Sequence, residues 1–263
     1  MTASLVDSHC HLTFDDLHGD IEGVMERAAA AGVTKMVTIA TNANDARRAL
    51  SLSERFDNVH VACGVHPHEA GRAAHGWDAE LTALVRREDV LAVGEMGLDY
   101  HYDFSDRPSQ LRVFRRQLEI AAEVRRPVII HCREAHGDTL AALRDARPSV
   151  DVVFHCFTGS EEEAREILEA GYWISLTGVV TFRKSEGLRA VARQIPPERL
   201  MIETDSPYLS PEPMRSVRPN EPAHLVHTAR CIAEVRGMTF DQLAELTTAN
   251  AQRFFAMPEG GAA

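Results

Sequence analysis

The sequence has no apolar run approaching the roughly 20 residues that a membrane helix needs. Its N-terminus has neither the basic nor the long apolar region of a secretory signal. A cytoplasmic protein with no membrane partner is therefore expected. The five cysteines, Cys10, Cys63, Cys132, Cys156 and Cys231, are an odd number without a Cys-x-x-Cys pair. That argues against a disulfide framework and favours a reducing compartment. No internal repeat or low-complexity linker divides the chain, and no glycine-rich phosphate loop follows its first apolar run, so a dinucleotide-binding open sheet is disfavoured. A net charge of −11 argues against a broad basic face for gripping nucleic acid. A nucleic-acid substrate would need metal ions and a few local arginines to supply the positive field. What is present is 263 residues, 44% hydrophobic and 25% charged, enough for one large α/β domain with a substantial core.

Short β-branched runs alternate with longer amphipathic ones, the pattern of repeated βα units. Strands are expected at residues 5–9, 35–39, 60–65, 91–94, 128–131, 152–155, 173–176 and 200–203. Helices are expected at 21–31, 43–55, 79–87, 109–124, 137–146, 161–170, 186–194 and 223–236, with a further one at 240–255. Eight strands, each followed by a helix, in about 250 residues predict an α/β fold, a single (β/α)8 TIM-barrel domain with an additional C-terminal helix. The domain is expected to span residues 1–257, with 258–263 a flexible tail. Gly32, Gly171 and Gly237 sit where helices should end, and Pro108 and Pro222 where they should begin. Residues 206–221 hold four of the twelve prolines and read as a long loop over the barrel mouth.

In such a barrel the polar residues that do chemistry lie at the C-terminal ends of strands. The first strand ends in Asp7-Ser8-His9-Cys10-His11, and side chains at i and i+2 of a strand share a face, so both imidazoles can reach one ion. Further strand ends bring Glu95, His131, His155 and Asp205. Taken singly, each histidine reads as a buried side chain satisfied by backbone, and Asp205 as a helix cap. Their joint placement at strand ends points to a shared metal site. Four imidazoles and two carboxylates exceed the three or so ligands that one catalytic metal keeps. Two divalent ions about 3.5–4 Å apart, bridged by a carboxylate, would use all six. Glu95, flanked by Gly94 and Gly97 in a stretch that reads as crowded against an ion, is the expected bridge. Asp205 is expected to bind one ion and accept a proton from water.

Around this set, Arg133 lies two residues beyond His131 and suits a bidentate grip on phosphate. His66, in Gly64-Val65-His66-Pro67-His68, is the expected substrate contact, with His68 holding the loop. Arg183 and Lys184 follow the seventh strand and add positive charge. Cys10, Cys132 and Cys156 each neighbour a ligand histidine and should face away from it as small core residues.

With these motifs in hand, the sequence resembles the TatD family of metal-dependent deoxyribonucleases, within the amidohydrolase-like superfamily. The matching runs are Asp7-Ser8-His9-Cys10-His11-Leu12, Gly64-Val65-His66-Pro67-His68, Gly94-Glu95-Met96-Gly97-Leu98-Asp99-Tyr100, His131-Cys132-Arg133, His155-Cys156-Phe157-Thr158-Gly159, Glu203-Thr204-Asp205-Ser206-Pro207-Tyr208-Leu209 and Asn220-Glu221-Pro222. The resemblance implies a two-metal site with His9, His11, Glu95 and Asp205 around one ion and Glu95, His131 and His155 around the other. It further implies hydrolysis of DNA phosphodiesters, commonly by 3′–5′ exonucleolytic trimming, with Mg²⁺, Mn²⁺ or Zn²⁺. Single-stranded DNA is the expected substrate and a monomer the expected state. Two rivals stand beside it. One is another metal-dependent esterase or amidohydrolase, such as a D-aminoacyl-tRNA deacylase; the other is a barrel with a decayed site that only binds partners. Many amidohydrolases bridge their metals with a carboxylated lysine, whereas residues 91–100 contain no lysine and Glu95 takes the bridging place.

Overall fold

The β-branched runs form eight parallel strands in the computed structural model, which describes residues 4–257. They are β1 (Leu5–Cys10), β2 (Val33–Ala40), β3 (Val59–Cys63), β4 (Val90–Asp99), β5 (Val128–Arg133), β6 (Val152–Phe154), β7 (Trp173–Leu176) and β8 (Leu200–Ile202). Each pairs with the next in chain order. Past the end of β8 the chain returns to β1: Asp205 N donates to His9 O at 2.9 Å and His11 N to Ser206 O at 2.8 Å. With helices following the strands, this is the expected (β/α)8 barrel, and the seam bonds hold two site segments side by side.

Local chemistry starts and stops the helices as expected. Gly32, Gly171 and Gly237 follow helix ends with φ of 86°, 84° and 65°. Pro108 sits in the first turn of the helix Arg107–Val124, where Asp106 accepts from Ser109 N at 2.9 Å. Pro222 opens a 3-10 turn, Pro222–His224, so the expected helix at 223–236 is split, and its α-helical part is Leu225–Arg236. Capping boxes at Ser160/Glu163 and Thr239/Gln242 begin the helices Glu161–Glu169 and Phe240–Phe255.

The core has two layers. Strand side chains such as Leu5, Met36, Val93, Ile130 and Phe154 pack against the helices. Those of opposite phase, Val6, Ile39, Leu91, Ile129, Val153, Trp173 and Met201, cluster with Ala251, Phe254 and Phe255. The C-terminal helix therefore packs its aromatic end onto the opposite layer of strand side chains, with Trp173 and Phe254 edge to face at 5.4 Å. No described helix is long and apolar enough to cross a membrane. The expected tail at 258–263 lies outside the described residues.

Among the departures from simple alternation, two lie at the site. In β1, Asp7 pairs with Met36 but Cys10 pairs with Thr38, so one extra residue is accommodated between Asp7 and Cys10, in the stretch that carries His9. The expected fourth strand ends at Gly94, whereas β4 runs on to Asp99 across a register shift between Val93 and Met96. The crowding expected near an ion comes from the neighbouring strand. A Cβ on Gly94 would lie 2.7 Å from the Ile129 carbonyl oxygen, and one on Gly97 would overlap that of His131.

Candidate metal centre

Glu95 is the hub. Buried on the irregular part of β4, it directs its two oxygens to different partners. Oε2 lies 3.5 Å from His9 Nε2 and 4.0 Å from His11 Nε2. Oε1 lies 2.7 Å from His131 Nδ1, 2.7 Å from His155 Nε2 and 3.4 Å from His66 Nε2. Asp205 completes the first side, its Oδ1 3.5 Å from His11 and 3.7 Å from His9. His9 and His155 stack at 3.9 Å between ring centroids, so the two sides adjoin. All six expected ligands thus meet at one mouth, and His66 joins them.

Carboxylates behind this layer fix the imidazoles. Asp99 Oδ2 pairs with His131 Nε2 at 3.0 Å and His68 Nε2 at 2.9 Å, while Oδ1 accepts the backbone N–H groups of His101 and Tyr102 at 2.9 and 3.1 Å. Glu203 Oε1 lies 3.3 Å from His155 Nδ1 and accepts from Cys156 N at 2.6 Å. Asp7 accepts from Thr204 N at 2.9 Å and from the Thr204 hydroxyl at 2.5 Å. Such tethers set which ring nitrogen keeps its proton and which presents its lone pair. Glu203 and Asp99 were not among the expected site residues. Each stands close in sequence to an expected ligand, Glu203 just past the end of β8 before Asp205 and Asp99 at the end of β4 after Glu95, and that nearness was the available signal.

The donor set fits divalent metal. Four buried or near-buried carboxylates, Glu95, Asp99, Glu203 and Asp205, have partners among histidines, a hydroxyl and backbone N–H groups, and among the described residues no arginine is bonded to them. Buried negative charge of this density calls for a cation. His9 Nδ1 is buried without a hydrogen-bond partner, and its Nε2 comes no closer than 3.5 Å to either carboxylate. His9, His11 and Asp205 form one grouping with metal-ligand spacing; His66, Glu95 and His131 form another, and His9, His155 and Glu203 a third. Burial works against ionised Glu95, yet the charges of His155 and His66 and the bond from His131 hold it well below the usual carboxylate range. Burial likewise opposes ionised Asp205, but His11 and the charges of His9 and His155 bring it below its ordinary value. Burial lowers His66 to about 4, against the raising effect of Glu95.

The remaining expected residues divide. Arg133 is exposed at the end of β5, its guanidinium 4.8 Å over the Tyr102 ring. His68 tethers Asp99 and donates its backbone N–H to His66 Nδ1 at 3.1 Å. Arg183 is exposed after β7 and, among the described residues, shares no hydrogen bond or ion pair with the cluster; its carbonyl accepts from Arg189 at 3.3 Å. Cys10 packs with the outer layer, and Cys156 Sγ turns to the Thr177 hydroxyl at 3.8 Å, both away from the imidazoles beside them.

The family model described as TatD related DNase matches residues 6–256. The chain is 41% identical over 255 residues to the uncharacterized metal-dependent hydrolase YabD of Bacillus subtilis, covering 95% of this chain and 98% of that one. It is 40% identical over 260 residues to the 3′-5′ ssDNA/RNA exonuclease TatD of Citrobacter koseri, covering 96% and 99%. The crystal structure of YjjV, a TatD homolog from Escherichia coli K12, superposes with a TM-score of 0.93 at 30% identity, over 98% of this chain and 100% of that one.

Proposed function

The chain belongs to the TatD-related DNase family and is a metal-dependent hydrolase of ester bonds, and from that premise we propose a 3′–5′ exonuclease that cleaves single-stranded DNA at a two-ion centre, acting as a monomer. The observation that carries this reading is the divided engagement of Glu95: Oε2 faces His9 and His11, Oε1 faces His131 and His155. In this reading His9, His11 and Asp205 would hold one ion and His131 and His155 the other, with Glu95 available to both. Mg²⁺, Mn²⁺ and Zn²⁺ all suit such a mixed set of imidazole and oxygen donors. Divalent ions so held supply Lewis acidity and lower the pKa of bound water.

The chain's own groups do the rest. Asp205, kept ionised by its histidine neighbours, takes the proton from the attacking water. Glu95 holds the two sides in register. Arg133 offers its guanidinium to the phosphoryl oxygens, and His66, neutral near pH 7 with its pKa lowered to about 4, orients the phosphate. Arg183 extends the positive field along the mouth. The chain has two lysines: Lys35 begins β2, at the end of the barrel away from the site, and Lys184 is exposed after β7. A carboxylated-lysine bridge of the amidohydrolase kind is disfavoured accordingly.

The test uses metal-reconstituted protein and a 5′-end-labelled single-stranded oligonucleotide, with Mg²⁺, Mn²⁺ or EDTA, and Asp205→Asn alongside. The expected result is a ladder shortening stepwise from the 3′ end, lost with EDTA and in the variant. No cleavage from protein shown to hold metal would refute the reading and direct attention to aminoacyl esters.

A further inference from the structure

Among the described residues, the exposed large hydrophobic side chains are Tyr102, Phe104, Tyr208 and Val217, at 41%, 60%, 52% and 39% exposure. All four lie in the two loops that leave β4 and β8 at the mouth of the barrel. Exposure of an aromatic ring forfeits burial that folding would otherwise reward, so its restriction to the rim of the site calls for a ligand that covers it.

The rings form two groups, each anchored to a different side of the metal centre. Tyr102 and Phe104 lie 5.3 Å apart and pack on His68 at 5.6 and 4.8 Å, and His68 shares Asp99 with His131. Arg133 lies over the Tyr102 ring. On the other side Phe14 stacks on His11 at 4.6 Å, and Tyr208 stands edge-on to Phe14 at 6.2 Å. Tyr208 also lines a cleft of about 480 Å³ with Asp16, Pro207, Arg215 and Arg218. Each group thus sets exposed aromatic surface, Phe104 beside Tyr102 in one and Tyr208 in the other, next to arginine, the combination that binds unpaired nucleotides through base stacking and phosphate charge.

We propose that Tyr102 with Phe104, and Tyr208 separately, are two base-stacking platforms that hold unpaired nucleobases on either side of the scissile phosphodiester. The proposal rests on the nuclease reading and deepens it. A base can lie flat on either platform only when it is free of a complementary strand, so the platforms select single-stranded ends. Stacking of this kind contributes a factor of about 5 to 150 in affinity per base.

The experiment scans single abasic residues through the last four positions of a single-stranded oligonucleotide and measures kcat/KM for wild type, Tyr102→Ala/Phe104→Ala and Tyr208→Ala. In wild type, abasic residues at two positions should lower kcat/KM by about tenfold or more. The double variant should lose the penalty at one of those positions and Tyr208→Ala at the other. Tyr102→Phe should retain it, and thermal midpoints should match wild type because the rings are exposed. Abasic penalties that are absent from wild type, or that persist undiminished in the variants while wild type still degrades DNA, would overturn the platforms and leave the nuclease reading standing. A wild-type protein that holds metal yet cleaves no oligonucleotide would overturn both.

Discussion

Replacing Asp99 by asparagine separates a positioning role from a merely structural one. The buried Asp99 carboxylate accepts four bonds, two from backbone N–H groups through Oδ1 and two from His68 and His131 through Oδ2. Burial alone would raise its pKa, but the bonds from His131 and His68 hold it well below the usual carboxylate range, so it is a full anion. An asparagine oxygen can keep the backbone pair, while its amide group turns N–H toward the two imidazole donors. Two charge-assisted bonds are lost, each of about 1.5–3 kcal/mol. His68 is partly exposed and recovers water, so the net destabilisation should be about 2–4 kcal/mol. The larger consequence concerns His131: without an acceptor at Nε2 the ring is no longer held with Nδ1 facing the centre beside Glu95, 2.7 Å away. Loss of such a tether costs about 10–100-fold in metal affinity. Mn²⁺ titration of chelator-stripped protein, with thermal unfolding in parallel, reads both quantities. Wild-type metal affinity in a variant that has lost stability would refute the positioning role.

Other substitutions probe the rest of the account. Gly97→Ala places a Cβ onto the His131 carbonyl at a φ of 143° and should cost at least about 3 kcal/mol together with metal binding, as read by calorimetry and metal titration. Glu203→Gln removes the anion behind His155 and the Cys156 amide and should weaken metal binding or activity by about 10–100-fold with little change in secondary structure by circular dichroism. Phe255→Ala empties part of the layer packed on the C-terminal helix and should lower stability by about 3–5 kcal/mol, while metal affinity measured below the melting range stays at the wild-type value.

The barrel was legible because its signals are local: β-branched runs, helix-stop glycines and capping residues recur in each βα unit. The meeting of His9, His11, Glu95, His131, His155 and Asp205 at one mouth was legible for a related reason, since polar residues that end apolar runs stand out against them. What escaped depends on strand phase. An extra residue in β1 sets which face His9 and His11 share with the rest of the site, and nothing in Asp7-Ser8-His9-Cys10 marks it. The fourth strand looked finished at Gly94 because glycines and Glu95 interrupt its apolar run, yet β4 continues to Asp99 by packing its glycines against the β5 backbone. Asp99 and Glu203 read as ordinary polar residues until the barrel brings them behind His131 and His155. Arg183, chosen as a cation following the seventh strand, lies beyond the 3-10 turn Gly178–Thr181 that comes after β7 and, among the described residues, shares no bond with the cluster.

Anomalous diffraction from crystals grown with Mn²⁺ decides whether Glu95 joins a pair of ions. Two anomalous peaks about 3.5–4 Å apart are expected, one beside His9, His11 and Asp205 and one beside His131 and His155, with a Glu95 oxygen on each. A single peak, or two peaks with Glu95 bound to only one, would contradict the bridge.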